Sequence, residues 1–151
     1  MELQGFYHVG IIISNLEKSV SFYRDILGLE VIVGPTDAFD GEEISQGLGV
    51  PDTRLRVAYL KSEQNVIQLM EFESPKSPID APLPLHSFST THFGFYVKDL
   101  EQTKQELESK GIEFFSPINI VPDSLTTVIN ARKWVIFRDP DGVIIELVEK
   151  L

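Results

Sequence analysis

Residues 6–13 are a β-rich apolar run, and the run ends at Ser14 and Asn15, either of which can cap a helix. The next apolar positions, Leu16, Val20, Tyr23 and Leu27, recur at helical spacing, and Gly28 supplies the stop. A strand followed by a helix is therefore predicted, and the pattern returns later in the chain. There Asp99 stands at the cap, Leu100 and Leu107 on the inner face, and Gly111 at the end. Three further strands complete each copy, predicted at about 29–33, 54–61 and 65–72, and again at about 112–116, 133–138 and 143–149. Each copy reads β-α-β-β-β.

The two copies are also alike residue by residue. His8, Gly10, Leu16 and Glu17 coincide with His92, Gly94, Leu100 and Glu101 at a single offset of 84, from 8 to 92. The closing strands match at an offset of 78, Val66-Ile67-Gln68-Leu69-Met70-Glu71 against Ile144-Ile145-Glu146-Leu147-Val148-Glu149. Between the copies, Pro75, Pro78, Pro82 and Pro84 remove backbone donors and bar regular structure. The expected organisation is one α+β domain over 1–151, with module one at about 5–73, a linker at 74–90 and module two at about 91–151. Asp139-Pro140-Asp141-Gly142 predicts a turn between the last two strands. Two irregular stretches remain, Gly34 to Thr53 with a short helix at Glu42 to Leu48, and Asn119 to Arg132; loops at equivalent places of a duplicated scaffold are where substrate selection is expected.

Composition narrows the function classes. The 151 residues carry 13 Lys+Arg against 23 Asp+Glu, a net charge of −10 that repels nucleic acid and anionic membrane surfaces. No cysteine is present, which excludes disulfides, thiolate nucleophiles and sulfur-ligated zinc. Met1-Glu2-Leu3-Gln4 lacks the basic start of a leader, and Val9 to Ile13 is too short to span a bilayer, so a cytoplasmic protein is expected.

The candidate chemistry lies where polar residues interrupt apolar strands. Gln68 and Glu146 sit at matched positions inside the closing strands, and a carboxylate buried there without a partner costs several kcal/mol or is forced to protonate. His8 and His92 open the two modules. A near-twofold arrangement brings two imidazoles, an amide oxygen and a carboxylate together, a donor set suited to a borderline divalent metal. The plainer alternatives are a histidine with a backbone partner, Gln68 as a core hydrogen-bonder, and Glu146 paired with Arg56, Arg132 or Arg138. Their duplication favours the metal. His86, in the linker, is expected to be structural or exposed, and Glu71 and Glu149, near strand ends, to lie on a solvated face.

His8, Gln68, His92 and Glu146 within FRDPDGVIIELVE resemble the glyoxalase/bleomycin-resistance/dioxygenase family, the vicinal oxygen chelate superfamily, from about Gly5 to Lys150. The resemblance implies paired modules curling an eight-stranded mixed sheet as an open barrel around a metal-binding cavity, and commonly a homodimer. It implies one divalent ion per chain (Ni, Co, Mn, Zn or Fe) held by His8, Gln68, His92 and Glu146. Bacterial glyoxalase I enzymes usually carry Glu where this chain has Gln68, whereas methylmalonyl-CoA epimerases are similar to it in showing His, Gln, His and Glu. The implied activity is that of a glyoxalase-like lyase or isomerase acting on a small carbonyl or acyl-thioester substrate through a metal-stabilised enolate. Glu146 moves the proton in that reading, with Glu43 as a second acid or base. The alternatives are a ferrous extradiol-type dioxygenase using His8, His92 and Glu146, and a metal-free drug-binding protein of the bleomycin-resistance type.

Overall fold

In the computed structural model, which describes residues 2–79 and 82–151, Asn15 and Asp99 start the two helices as their sequence positions predict. Asn15 accepts from the Lys18 N–H at 2.8 Å and Asp99 from the Gln102 N–H at 2.8 Å, each satisfying a donor that the first helical turn leaves open. The chain divides into two compact units, Met1–Asp80 and Ala81–Leu151. Asp80 and Ala81, within the expected linker, lie outside the described residues, as does Met1 of the N-terminal segment.

The first unit runs β1 (Val9–Ile13), α1 (Leu16–Ser21), β2 (Glu30–Val33), β3 (Phe39–Asp40), α2 (Glu42–Leu48), β4 (Arg54–Ser62) and β5 (Asn65–Ser74). α1 continues as a π-helical turn over Phe22–Ile26, which buries both Phe22 and Tyr23. The sheet order is β1-β5-β4-β2, with β3 also on β4; β1 and β5 are parallel, and β4 pairs antiparallel with β5, β2 and β3. One face carries Ile11, Ile13, Ala58, Leu60, Ile67 and Leu69, all buried together with Leu16, Val20 and Tyr23 of the helix. That layer is the core of the unit, and it fixes which residues face the other way.

The second unit runs β6 (His92–Val97), α3 (Leu100–Ser109), β7 (Asn119–Ile120), α4 (Asp123–Ile129), β8 (Lys133–Arg138) and β9 (Ile144–Glu149), in the order β6-β9-β8-β7 with β6 parallel to β9. Val135, Phe137, Ile145, Leu147, Leu100 and Leu107 form its buried layer. The Asp139 turn closes as expected, its carboxylate accepting from the Asp141 and Val143 N–H groups at 2.9 and 2.8 Å. The fold is thus α+β with a mixed sheet in each module, and among the described residues the strands number five in one sheet and four in the other. The secondary structure departs from the sequence reading in places. The strand expected at 112–116 is reduced to a single bridge, Phe114 with Phe137, and the stretch from Asn119 to Arg132 holds β7 and α4.

Glu71 and Glu149 do not lie on a solvated face. Their side chains are 13% and 14% exposed, and each accepts the first N–H of a helix, Leu16 N at 3.0 Å and Leu100 N at 2.9 Å. A basic residue completes each arrangement. Arg56 lies 3.6 Å from Glu71 and donates to both oxygens of Glu17, at 2.5 and 3.1 Å. Lys133 lies 3.3 Å from Glu149 and 2.8 Å from Glu101. A negative charge at a helix N-terminus is favourable, and a charge-assisted hydrogen bond is worth about 1.5–3 kcal/mol. Glu71→Ala and Glu149→Ala should each destabilise the protein by about 1–3 kcal/mol in urea unfolding, whereas the exposed Glu113→Ala should stay within about 0.5 kcal/mol. A loss at Glu149 no larger than at Glu113 would reduce these carboxylates to surface charges.

The outer pairs add a pH dependence. The hydrogen bond from Arg56 holds the Glu17 carboxyl below its ordinary range, and that from Lys133 does the same for Glu101. Stability from a depressed carboxylate is present above its unfolded pKa and is lost as pH falls through the folded value, so both pairs weaken in acid.

Candidate metal centre

On the face of the first sheet turned away from α1, the register places Gly10 of β1 beside Gln68 of β5, and Gln68 opposite Tyr59 of β4. His8, the residue before β1, is half-buried two positions ahead of Gly10. The Gln68 amide donates from Nε2 to the Tyr59 hydroxyl at 2.6 Å, and its Oε1 lies 3.6 Å from the point a Cβ on Gly10 would occupy. The Tyr59 and His8 rings meet edge to face at 6.0 Å. Tyr59 therefore holds the amide nitrogen and leaves the amide oxygen available. His8 Nδ1 is, among the described residues, a buried side-chain atom with no hydrogen-bond partner.

The second sheet repeats the plan. Gly94 of β6 is registered with Glu146 of β9, whose next neighbour across the sheet is Ile136, and His92 stands two positions ahead of Gly94. His92 Nε2 lies 3.6 Å from Glu146 Oε2. That gap exceeds a normal hydrogen bond. It is close to the roughly 3.0–3.5 Å between two donors that each bind one metal ion at about 2.1 Å. The chemistry of the donors also fits a divalent ion: each module supplies an imidazole and an oxygen, His8 with Gln68 and His92 with Glu146, and His8 has a bare buried nitrogen.

The arginines weighed as partners for Glu146 are engaged or placed elsewhere. Arg138 donates to the carbonyls of Gly142 and Leu83 and lies over the Phe115 ring, Arg56 is held by Glu17, and Arg132 is exposed. Glu43 is exposed on the first turn of α2, its carboxylate folded back over Gly41, and His86 is exposed. Asp99, Glu101 and Glu149 bring ligand atoms within 4.8 Å of one another, but Lys133 and the α3 N-terminus account for that cluster.

Beside Glu146, a cavity of about 290 Å³ is walled by Tyr96, Trp134 and Val148 from the sheet and by Val121, Ile129 and Ala131 from the β7–β8 connection. The stretch expected to carry substrate selection thus supplies one wall. The aromatic residues and Tyr59 were not singled out from the sequence. Tyr59 was nevertheless within reach: Ser62 pairs with Asn65 around a two-residue turn, and counting back from that pair sets Tyr59 opposite Gln68.

The family model of the Glyoxalase/Bleomycin resistance protein/Dioxygenase superfamily matches residues 5–147. The chain belongs to this superfamily. The uncharacterized protein YwkD of Bacillus subtilis (strain 168) is 32% identical over 150 residues, covering 99% of this chain and 100% of YwkD. The metallothiol transferase FosB of Staphylococcus epidermidis is 28% identical over 146 residues, covering 96% of this chain and 83% of FosB. Among solved structures, a glyoxalase-family protein from Bacillus cereus aligns with a TM-score of 0.82 at 20% identity, covering 100% of this chain and 97% of that one, a likeness of fold. The superfamily thus includes metal-dependent enzymes, FosB among them by its name. Among the described residues, no helix is long and apolar enough to cross a membrane.

Proposed function

We propose that the chain is a divalent-metal-dependent lyase or isomerase of the glyoxalase and epimerase type, in which His8, Gln68, His92 and Glu146 hold one ion and both modules serve one domain. The observation that carries this reading is the repeated placement of a histidine, a glycine and an oxygen-bearing side chain on the face each sheet turns from its helix. The metal, when bound, supplies Lewis-acid charge to two neighbouring oxygens of a small carbonyl or acyl-thioester substrate. Tyr59 fixes the Gln68 amide so that its oxygen is the donor presented. Glu146 Oε2, beside His92, takes the proton from the carbon next to the carbonyl and returns it. Glu43 is the second acid or base.

This chemistry changes no oxidation state, so turnover should persist under strict anaerobiosis and be supported by cobalt, nickel, manganese or zinc. Gln68→Ala should weaken metal binding about 10–100-fold, as loss of an ordering or ligating group does, while Gln68→Glu preserves it. Oxygen uptake with catechols that depends on ferrous iron and ignores Gln68→Ala would replace this reading by a dioxygenase using three ligands.

A further inference from the structure

The hydroxyl that holds the Gln68 amide has a proton of its own to give. We propose that Tyr59 is a further catalytic residue, donating a hydrogen bond to the substrate oxygen that lies beside Gln68 and gathers negative charge when the neighbouring carbon loses its proton. This rests on the proposed metal reading for the substrate's position, whereas the arrangement around Tyr59 belongs to the first module alone.

The need for a partner at Gln68 follows from its chemistry. The two ends of an amide differ: the oxygen offers lone pairs to a cation, and the NH₂ group offers only protons. A glutamine turned the wrong way is no ligand, so the amide needs a neighbour that accepts from its nitrogen. The two ends of a carboxylate are alike and need none. The register matches this difference, with Tyr59 across from Gln68 and the apolar Ile136 across from Glu146.

Accepting the amide proton at 2.6 Å commits a lone pair of the Tyr59 oxygen and leaves its O–H to be given elsewhere. Among the described residues, no side chain takes that proton: the neighbouring His8 Nδ1 has no hydrogen-bond partner, and the next residue along the row, on β2, is the apolar Val33. On the other side of Gln68 the row is open, because Gly10 has no side chain; a Cβ there would stand 3.6 Å from the amide oxygen and 4.0 Å from Met70 Sδ. Adjacent strands are about 4.8 Å apart, so a ligand held at the amide oxygen leans across one strand spacing to meet the hydroxyl. The Tyr59 proton stays on Tyr59 throughout. Its hydrogen bond strengthens as the oxygen it meets gains charge, which favours the deprotonated substrate over the resting one.

The test uses cobalt-saturated protein and two probes read from the cobalt absorption bands. Acetohydroxamate binds through two oxygens that can each accept a further hydrogen bond, whereas imidazole bound through nitrogen has only an N–H left to give. Tyr59→Phe keeps the ring that meets His8 and is expected to fold. It should weaken acetohydroxamate about tenfold or more, the loss of one hydrogen bond to a charged group, and leave imidazole within about twofold. In a Gln68→Glu background, Tyr59→Phe should change neither probe by more than about twofold, because the carboxylate takes the Tyr59 proton and withdraws it from the ligand. Unchanged acetohydroxamate affinity in Tyr59→Phe protein that shows the cobalt bands would overturn the donor role alone and leave Tyr59 as the orienting partner of Gln68. Equal losses of both probes in both backgrounds would overturn it too, reducing Tyr59 to a packing contact with His8. Wild-type protein without cobalt bands would overturn the metal reading, and the donor role with it.

Discussion

The wild-type protein and His86→Ala are expected to show a metal-dependent rise in melting temperature that His8→Ala and His92→Ala each abolish. A ligand that binds the folded chain alone stabilises it by mass action, about 4 kcal/mol at a free concentration one thousand times Kd. At about 2–4 °C per kcal/mol for a chain of this size, the shift is roughly 8–16 °C. His92 lies beside Glu146, and His8 has a buried ring nitrogen without a partner, whereas His86 is exposed in the linker. Each donor removed leaves an incomplete set, so the two site variants should melt near the metal-free temperature with or without cobalt, nickel, manganese or zinc. Equal responses from all three variants would show that the ligands lie elsewhere.

Glu146→Gln should leave weakened metal binding and remove proton transfer. The substitution keeps an oxygen donor and the side-chain length but takes away the basic charge, and a positioned general base contributes about 10²–10⁴ in rate. In barrier terms this is roughly 3–5 kcal/mol. The measurement is solvent deuterium exchange into a 2-oxoacid or acyl-thioester probe, with metal affinity followed in parallel. Exchange that survives would move the base to another group. Glu43→Gln is the companion: a fall in exchange with metal affinity unchanged would support a second acid or base on α2, and unchanged exchange would confine proton transfer to Glu146.

The duplicated architecture was legible because its signals are local and repeated. The cap at Asn15, the offset shared by His8 and His92, and the helix at Glu42–Leu48 each follow from a few neighbouring residues. The segment 112–116 misled because Ile112, Phe114 and Phe115 look like a strand, but Ser116-Pro117 breaks the ladder and leaves the Phe114–Phe137 bridge. α4 was hidden for the opposite reason. Thr126, Thr127, Val128 and Ile129 are β-branched and argue against helix, while the start signal, Pro122 followed by Asp123, is brief, and Asn130 in the left-handed region ends it. For Glu71 and Glu149, nearness to a strand end says nothing of which face of the sheet the side chain takes. Their odd spacing from Gln68 and Glu146 already assigned them to the opposite, helix-bearing face. The pairing of His8 with Gln68 and of His92 with Glu146 on one face of each sheet was recoverable from strand order, whereas the cavity beside Glu146 depends on α4 and on tertiary packing that no short pattern encodes.

The alternation along β5 and β9 separates two kinds of inheritance. Each strand turns its candidate ligand to one side and, three residues later, its helix-anchoring carboxylate to the other. The two modules have kept Glu at the anchoring position, Glu71 and Glu149, while differing at the other, Gln68 and Glu146. A change of donor can therefore be tried in one half without disturbing the contact that sets the helix on its sheet. A duplicated chain built this way can diversify its reactions by single substitutions on one side of two strands, each tested by selection against an unchanged foundation.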